Sequence, residues 1–331
     1  MHSLPLKAIV RFACDARDAR DARDAHDARG VSRPAEPRAA WRRWAALALV
    51  AGVAGCGAII ETVGGMGRWG WEPSPHVTRI DTGFTSGGRH IAVERFAPDA
   101  GGLLHLARRR HHPAILVLHS SAGVLGRSGA TVRTWADAFA EQGYVAYVIH
   151  YFDRTGDART DDAYENRTYP EWTATLRDAV TFVRGDAAVD SSRIDAFGVS
   201  LGGFLALALG DEDARVRRLV VLSGGLFPAL APALRRMPPT LLLHGAVDDV
   251  VPVEEAWRVD TVLSRLGAPH ALVVIPGGDH SLDDALVPDA MRRAMEFLQA
   301  AHPEDGLRRA SAPLRADRTA ARLNRVVKPE G

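Results

Sequence analysis

The segment Phe197-Gly198-Val199-Ser200-Leu201-Gly202-Gly203 contains G-x-S-x-G at the junction of an apolar strand and an apolar helix. A serine on such a sharp turn presents its hydroxyl above the sheet, and the flanking glycines let neighbouring backbone pack closely. The helix N-terminus adds a positive dipole end where an oxyanion would form. A nucleophilic serine needs a base and a group to orient that base. Downstream, Thr240–His244 reads as a strand followed by a loop carrying Asp248 and Asp249. The next strand, Ala271–Ile275, is followed by a loop carrying His280. Chain order Ser, Asp, His matches one known arrangement of such a triad, and spacing alone leaves Asp248 and Asp249 both open. Asp279 adjoins His280 and reads as a loop-capping residue. Two backbone N–H groups would complete an oxyanion hole: that of Leu201, and that of Ser121, with Ser120 as the alternative, in the loop after strand Ala114–His119.

The elements that must position these residues read as a mostly parallel α/β sheet with helices on both faces. Val77–Phe84 and His90–Phe96 form an antiparallel start around Ser86-Gly87-Gly88. Ala114–His119, Val145–Ile149, Ile194–Val199 and Leu219–Leu222 are apolar runs of the kind buried on both faces. Helices are expected over Thr131–Glu141, Leu201–Leu209, Val253–Leu266 with Gly267 as C-cap, and Pro288–Ala300. Thr168-x-x-Glu171 reads as a capping box opening a further helix, with Trp172, Leu176, Ala179, Val180 and Val183 on one face.

Composition narrows the function classes. The chain has 331 residues, 47% apolar and 24% charged, with 41 basic against 40 acidic side chains. That near balance gives no electrostatic footprint for nucleic acid. The two cysteines, Cys14 and Cys56, both precede residue 60, so a zinc-thiolate site or cysteine nucleophile in the main domain is excluded. There is no H-E-x-x-H, G-x-G-x-x-G or Walker-type loop, so neither a metal nor a cofactor is expected. His119 and His150 end strands near the expected pocket and read as structural histidines.

Residues 15 to 29 repeat Asp-Ala followed mostly by Arg, a period that fits neither helix nor strand. Residues 1–30 are therefore expected to be a low-complexity stretch outside the native protein, with a solvated charged tail as the competing reading. Next come the basic pair Arg42-Arg43, an apolar run, and Val53-Ala54-Gly55-Cys56. This resembles a bacterial lipoprotein signal peptide over 31–55, cut before a lipidated Cys56. The resemblance implies a lipid anchor in the cell envelope on the extracytoplasmic side, with a membrane-spanning anchor as the competing reading. The remaining organisation is a Gly-rich tether over 56–75, a catalytic domain over 76–302, and a basic tail over 303–331 read as loose helix or disorder.

Residues 78 to 300 resemble the dienelactone hydrolase family of α/β-hydrolases. The resemblance rests on G-x-S-x-G-G at 198–203, His244-Gly245-x-x-Asp248-x-x-Val251-Pro252, and Gly278-x-His280. It implies an α/β-hydrolase fold and a serine hydrolase acting on a small ester or related acyl compound. It also implies Asp248 rather than Asp249 as the triad acid, with His280 as the base. Two departures stand out. Ser200 replaces the cysteine nucleophile of the enzymes that name the family. Of the two arginines that hold a substrate carboxylate there, the first would fall on Arg154, while the second position carries Asp284. Arg154 is thus expected either to contact substrate or to form a structural ion pair with Asp153 or with Asp161 and Asp162. A short-peptide peptidase and a non-catalytic envelope binding protein are the competing functions.

Overall fold

The computed structural model describes residues 71–99, 111–282 and 285–313, all within the unit Gly65–Gly331. The predicted lipobox with Cys56, the low-complexity stretch and Asp284 lie outside the described residues.

The first elements among the described residues are two antiparallel strands, β1 (Val77–Ser86) and β2 (Arg89–Pro98). Gly87 and Gly88 join them at φ 51° and 77°, the doubly left-handed turn that a two-residue hairpin requires. There follow β3 (His112–Leu118), α1 (Gly126–Glu141), β4 (Val145–Ile149), α2 (Asp162–Arg184), β5 (Val189–Val199), α3 (Leu201–Glu212) and β6 (Val216–Leu222). The chain continues through β7 (Thr240–Gly245), α4 (Val253–Leu266), β8 (His270–Ile275), α5 (Val287–Leu298) and α6 (Pro303–Ala310). The eight strands lie in the order β1-β2-β4-β3-β5-β6-β7-β8, and every pairing from β4 to β8 is parallel. This is the α/β-hydrolase fold.

Side chains alternate strictly between two cores. Ala114, Leu116 and Leu118 of β3 join a core with α2, α3 and α4. Ile115 and Val117 join a core with α1, α5 and α6 on the opposite face. Burial on both faces is why these strands read as unbroken apolar runs. From β3 the chain passes through α1 to β4 on one side, then crosses through α2 to β5 on the other side of β3. The order therefore reverses at the carboxyl ends of β3 and β5, the crevice where α/β sheets place their sites.

Three expectations change. The Thr168–Glu171 capping box is not the start of α2. The helix begins at Asp162, with the Asp161 side chain accepting from Tyr164 N–H as N-cap, and Thr168 and Pro170 lie inside it. Asp161 as N-cap, with Asp162 and Glu165 in the first turn, supplies a stronger start than the internal threonine does. At the N-terminal side, packing reaches back to Trp71 in the expected tether. Its indole is buried beside Phe96 and donates to the Asp137 carboxylate at 2.6 Å. At the other end, Pro303–Ala310 is the ordered helix α6, which buries Leu307 and Ala310 in the second core.

Candidate active site

Ser200 stands between β5 and α3 at φ 54°, ψ −123°, a left-handed conformation that a non-glycine residue rarely adopts. Its own N–H donates to Leu222 O of the neighbouring strand at 2.9 Å, and its carbonyl accepts from Gly203 N–H at 2.7 Å. The turn can be this tight only because of the glycines around it. A Cβ on Gly198 would lie 2.0 Å from Gly202 O, and one on Gly202 would lie 2.2 Å from Leu118 O and 2.7 Å from His119 O. The second approach brings the end of β3 against the first turn of α3. Ser120 and Ser121 follow directly and line a cavity with Ser200, and the N–H of Leu201 is one of the helix's unsatisfied first-turn donors.

The loops after β7 and β8 meet in the same way. A Cβ on Gly245 would lie 2.3 Å from Gly278 O and 2.5 Å from Asp279 O. His280 thereby reaches Asp248, with Nδ1 2.9 Å from Oδ2 and 3.0 Å from Oδ1. The Asp248 side chain is fully buried and also accepts from Val250 N–H at 3.0 Å and Val251 N–H at 2.9 Å. His244 Nε2 donates to Val251 O at 2.8 Å and stands 3.2 Å from Asp248 Oδ2. Burial alone would raise the Asp248 pKa, but hydrogen bonds from His244 and His280, with those backbone donors, hold it well below the usual carboxylate range. An ionised Asp248 fixes the proton of His280 on Nδ1 and leaves Nε2 with a lone pair. Asp249 is exposed. Asp279 caps its loop by accepting from Ser281 N–H at 3.1 Å.

Ser200 and His280 line one cavity of ≈ 260 Å³ at the sheet's switch point, together with Ser120, Ser121, Arg127 and Val250. The His280 imidazole, held by the buried Asp248 carboxylate, therefore opens onto the same space as Ser200. The family model described as the dienelactone hydrolase family matches residues 101–302. The chain belongs to the dienelactone hydrolase family. That is a family of hydrolases on the α/β-hydrolase fold.

Solved structures agree on the fold. A Klebsiella pneumoniae chain described as a dienelactone hydrolase is 19% identical, with TM-score 0.56, over 67% of this chain and 98% of that one. The dienelactone hydrolase of Anabaena variabilis is 19% identical, with TM-score 0.53, over 68% and 98%. A Bacteroides ovatus dipeptidyl aminopeptidase IV is 18% identical, with TM-score 0.53, over 69% of this chain but 36% of that one. A further match, 36% identical over 73 residues, is to the non-reducing polyketide synthase ausA of Aspergillus calidoustus. It takes in 20% of this chain and spans 3% of that protein's length.

Against the family's pattern, Arg154 does not reach the cavity. It is the last residue of the short 3₁₀ turn Tyr151–Arg154, pairs through Nε with Glu171 at 2.8 Å, and lays its guanidinium over the hairpin turn at Gly87. Neither Asp153 nor Asp161 is its partner: Asp153 accepts from Ala92 N–H, and Asp161 caps α2. The structure instead brings another arginine to the cavity wall. Arg127 is exposed, and among the described residues its guanidinium has no ion-pair partner. Sequence reasoning missed it because α1 starts at Gly126, a full turn before the expected Thr131. His119 and His150 are buried or half-buried, each with a protein partner: Ser120 O for the first and Glu94 for the second. Among the described residues no group of ligating side chains could hold a metal.

Proposed function

We propose that this protein is a serine hydrolase that cleaves small esters or related acyl compounds. One observation carries the reading: the His280–Asp248 pair opens onto the cavity that holds the left-handed Ser200. In this reading His280 Nε2 takes the Ser200 hydroxyl proton as Oγ attacks the acyl carbon. The N–H groups of Leu201 and Ser121 receive the oxyanion, a contribution of about 10²–10³ in rate per donor in such sites. Collapse expels the alcohol, protonated by His280, and leaves an acyl-enzyme that water releases by the same proton shuttle. Asp248 stabilises the imidazolium and holds its tautomer. A cavity of ≈ 260 Å³ suits a short acyl group.

The test is labelling by a fluorophosphonate, with Ser200→Ala and His280→Ala as controls. Labelling of the parent that both variants lose supports the reading, and an unlabelled, folded parent refutes it in favour of a binding protein on this scaffold. Turnover of p-nitrophenyl esters against dipeptide p-nitroanilides then separates an esterase from a peptidase. We also propose that Cys56 carries a lipid and anchors the protein to the cell envelope. No helix among the described residues is long and apolar enough to cross a membrane. Incorporation of an alkyne fatty acid in the parent, but not in Cys56→Ser, tests the anchor.

A further inference from the structure

We propose that His119 is a positioning residue for the oxyanion hole: its imidazole pins the Ser120 carbonyl so that the N–H of Ser121 faces the Ser200 cavity. This rests on the hydrolase reading above and extends it to a residue outside the triad. His119 follows β3, is 1% exposed, and lies beneath the Ser120–Gly123 turn. Its Nδ1 is 2.8 Å from Ser120 O. A carbonyl oxygen only accepts, so Nδ1 carries the hydrogen. The same oxygen accepts from Gly123 N–H at 3.0 Å. Two donors from different directions thus hold one carbonyl.

The peptide between Ser120 and Ser121 is trans, and a trans planar peptide points its N–H opposite to its C=O. Drawing Ser120 O down onto the imidazole therefore turns Ser121 N–H the other way, and Ser121 lines the cavity with Ser200. With His119's donor gone, Gly123 N–H alone would hold this peptide. A flip would aim a carbonyl oxygen at the place where negative charge develops, which opposes catalysis where the N–H would assist it.

The imidazole is itself held. It stacks on Tyr151 with ring centroids 3.9 Å apart at 7° and meets Phe152 edge-on at 4.6 Å. Tyr151 Oη donates to His119 O at 2.7 Å and pins the preceding peptide as well. Burial pushes the His119 pKa down to about 3, so the ring stays neutral across the working range.

His119→Phe keeps a ring on Tyr151 and deletes the donor, and His119→Gln restores an N–H. Each is assayed with p-nitrophenyl acetate and with phenylboronic acid, whose tetrahedral adduct on serine places an oxygen in the oxyanion hole. The expected result for His119→Phe is a kcat lower by ~10–100-fold with KM within about threefold, and a boronate inhibition constant that rises with it. His119→Gln should recover part of both. A folded His119→Phe that keeps kcat and boronate affinity within about twofold of the parent overturns the proposal. So does a loss of kcat that leaves boronate binding untouched. If His119→Phe does not fold, His119→Leu, which also lacks the N–H, carries the test: a parallel loss in kcat and boronate affinity supports the proposal, and unchanged values overturn it. A parent that fluorophosphonate does not label removes the hydrolase reading itself, and this proposal with it.

Discussion

Asp248→Asn probes the site where the structure says most about its own requirements. The carboxylate accepts from two backbone N–H groups at Oδ1 and faces two histidines at Oδ2. An asparagine can offer only one accepting oxygen. Keeping that oxygen on Val250 and Val251 N–H sets the amide NH2 against His244 Nε2–H and His280. His244 cannot yield by changing tautomer, because its Nε2–H is committed to Val251 O at 2.8 Å. His280 can, but then its proton moves to Nε2 and the lone pair that the proposed proton transfer from Ser200 requires is lost. The reverse orientation sets the NH2 against two backbone N–H groups instead. Either way a buried donor meets a donor, at a cost of about 1–3 kcal/mol for the unsatisfied group, plus the lost charge-assisted bonds. We expect ~2–4 kcal/mol lower stability at pH 7 and a kcat reduced by about 10⁴.

The Asp248 pKa is depressed in the folded state, so its stabilisation is present above the unfolded carboxyl value near 4. It is lost as pH falls below that value, so parent and variant should converge in stability on acidification. The assays are urea denaturation at pH 7 and pH 3, and single-turnover release of p-nitrophenol. Asp249→Asn, on an exposed side chain, serves as control and should change neither by more than about twofold. A folded Asp248→Asn within about tenfold of the parent rate, or an equal loss in Asp249→Asn, would refute the assignment.

Three further outcomes follow from the packing. Gly202→Ala must part the α3 turn from the β3 backbone by about 1 Å. It should cost about 1–3 kcal/mol and about 10²-fold in kcat, and an active, equally stable variant would show the close approach to be unnecessary. Glu165 has a buried Oε1 without a partner, and burial, with Asp162 and Asp161 beside it, pushes its carboxyl up to about 7. A raised carboxyl withdraws stability as pH climbs from about 4.3 to about 7. Glu165→Gln should therefore stabilise by ~1–2 kcal/mol at pH 8, with the gain shrinking toward pH 5 in urea melts. A pH-independent difference would contradict this. Arg154→Ala removes a half-exposed ion pair with Glu171, so stability should drop by no more than about 1 kcal/mol while kcat/KM stays within about twofold. A large loss of kcat/KM would return Arg154 to the substrate.

Ser200, Asp248 and His280 could be read from the sequence because each follows a strand whose apolar run is unmistakable, and short-range patterning marks where such strands end. The same patterning misplaced the start of α2. A capping box at Thr168 and a cap at Asp161 are both locally acceptable, and only the helix's packing selects between them. Arg154 shows the limit of motif transfer: its number in the chain matched an expectation, but a guanidinium goes where a turn and an acid receive it. Arg127 carried no signal of its own, and His119 read only as a structural histidine at a strand end near the pocket. One needed the true start of α1, and the other needed a hydrogen bond to the carbonyl of the very next residue.

By itself, then, the sequence determined the alternation of strands and helices, the nucleophile turn and the chain order of the catalytic candidates, because these depend on periodicity and on glycines at fixed offsets. Spacing left Asp248 and Asp249 both open, a motif resemblance favoured Asp248, and the tertiary structure is what brings Asp248 to His280. It also decided that Arg127 rather than Arg154 reaches the cavity and that the Ser120 carbonyl turns toward His119. Those outcomes depend on directions of side chains and peptides after distant loops have been brought to one sheet edge, and no local pattern encodes them.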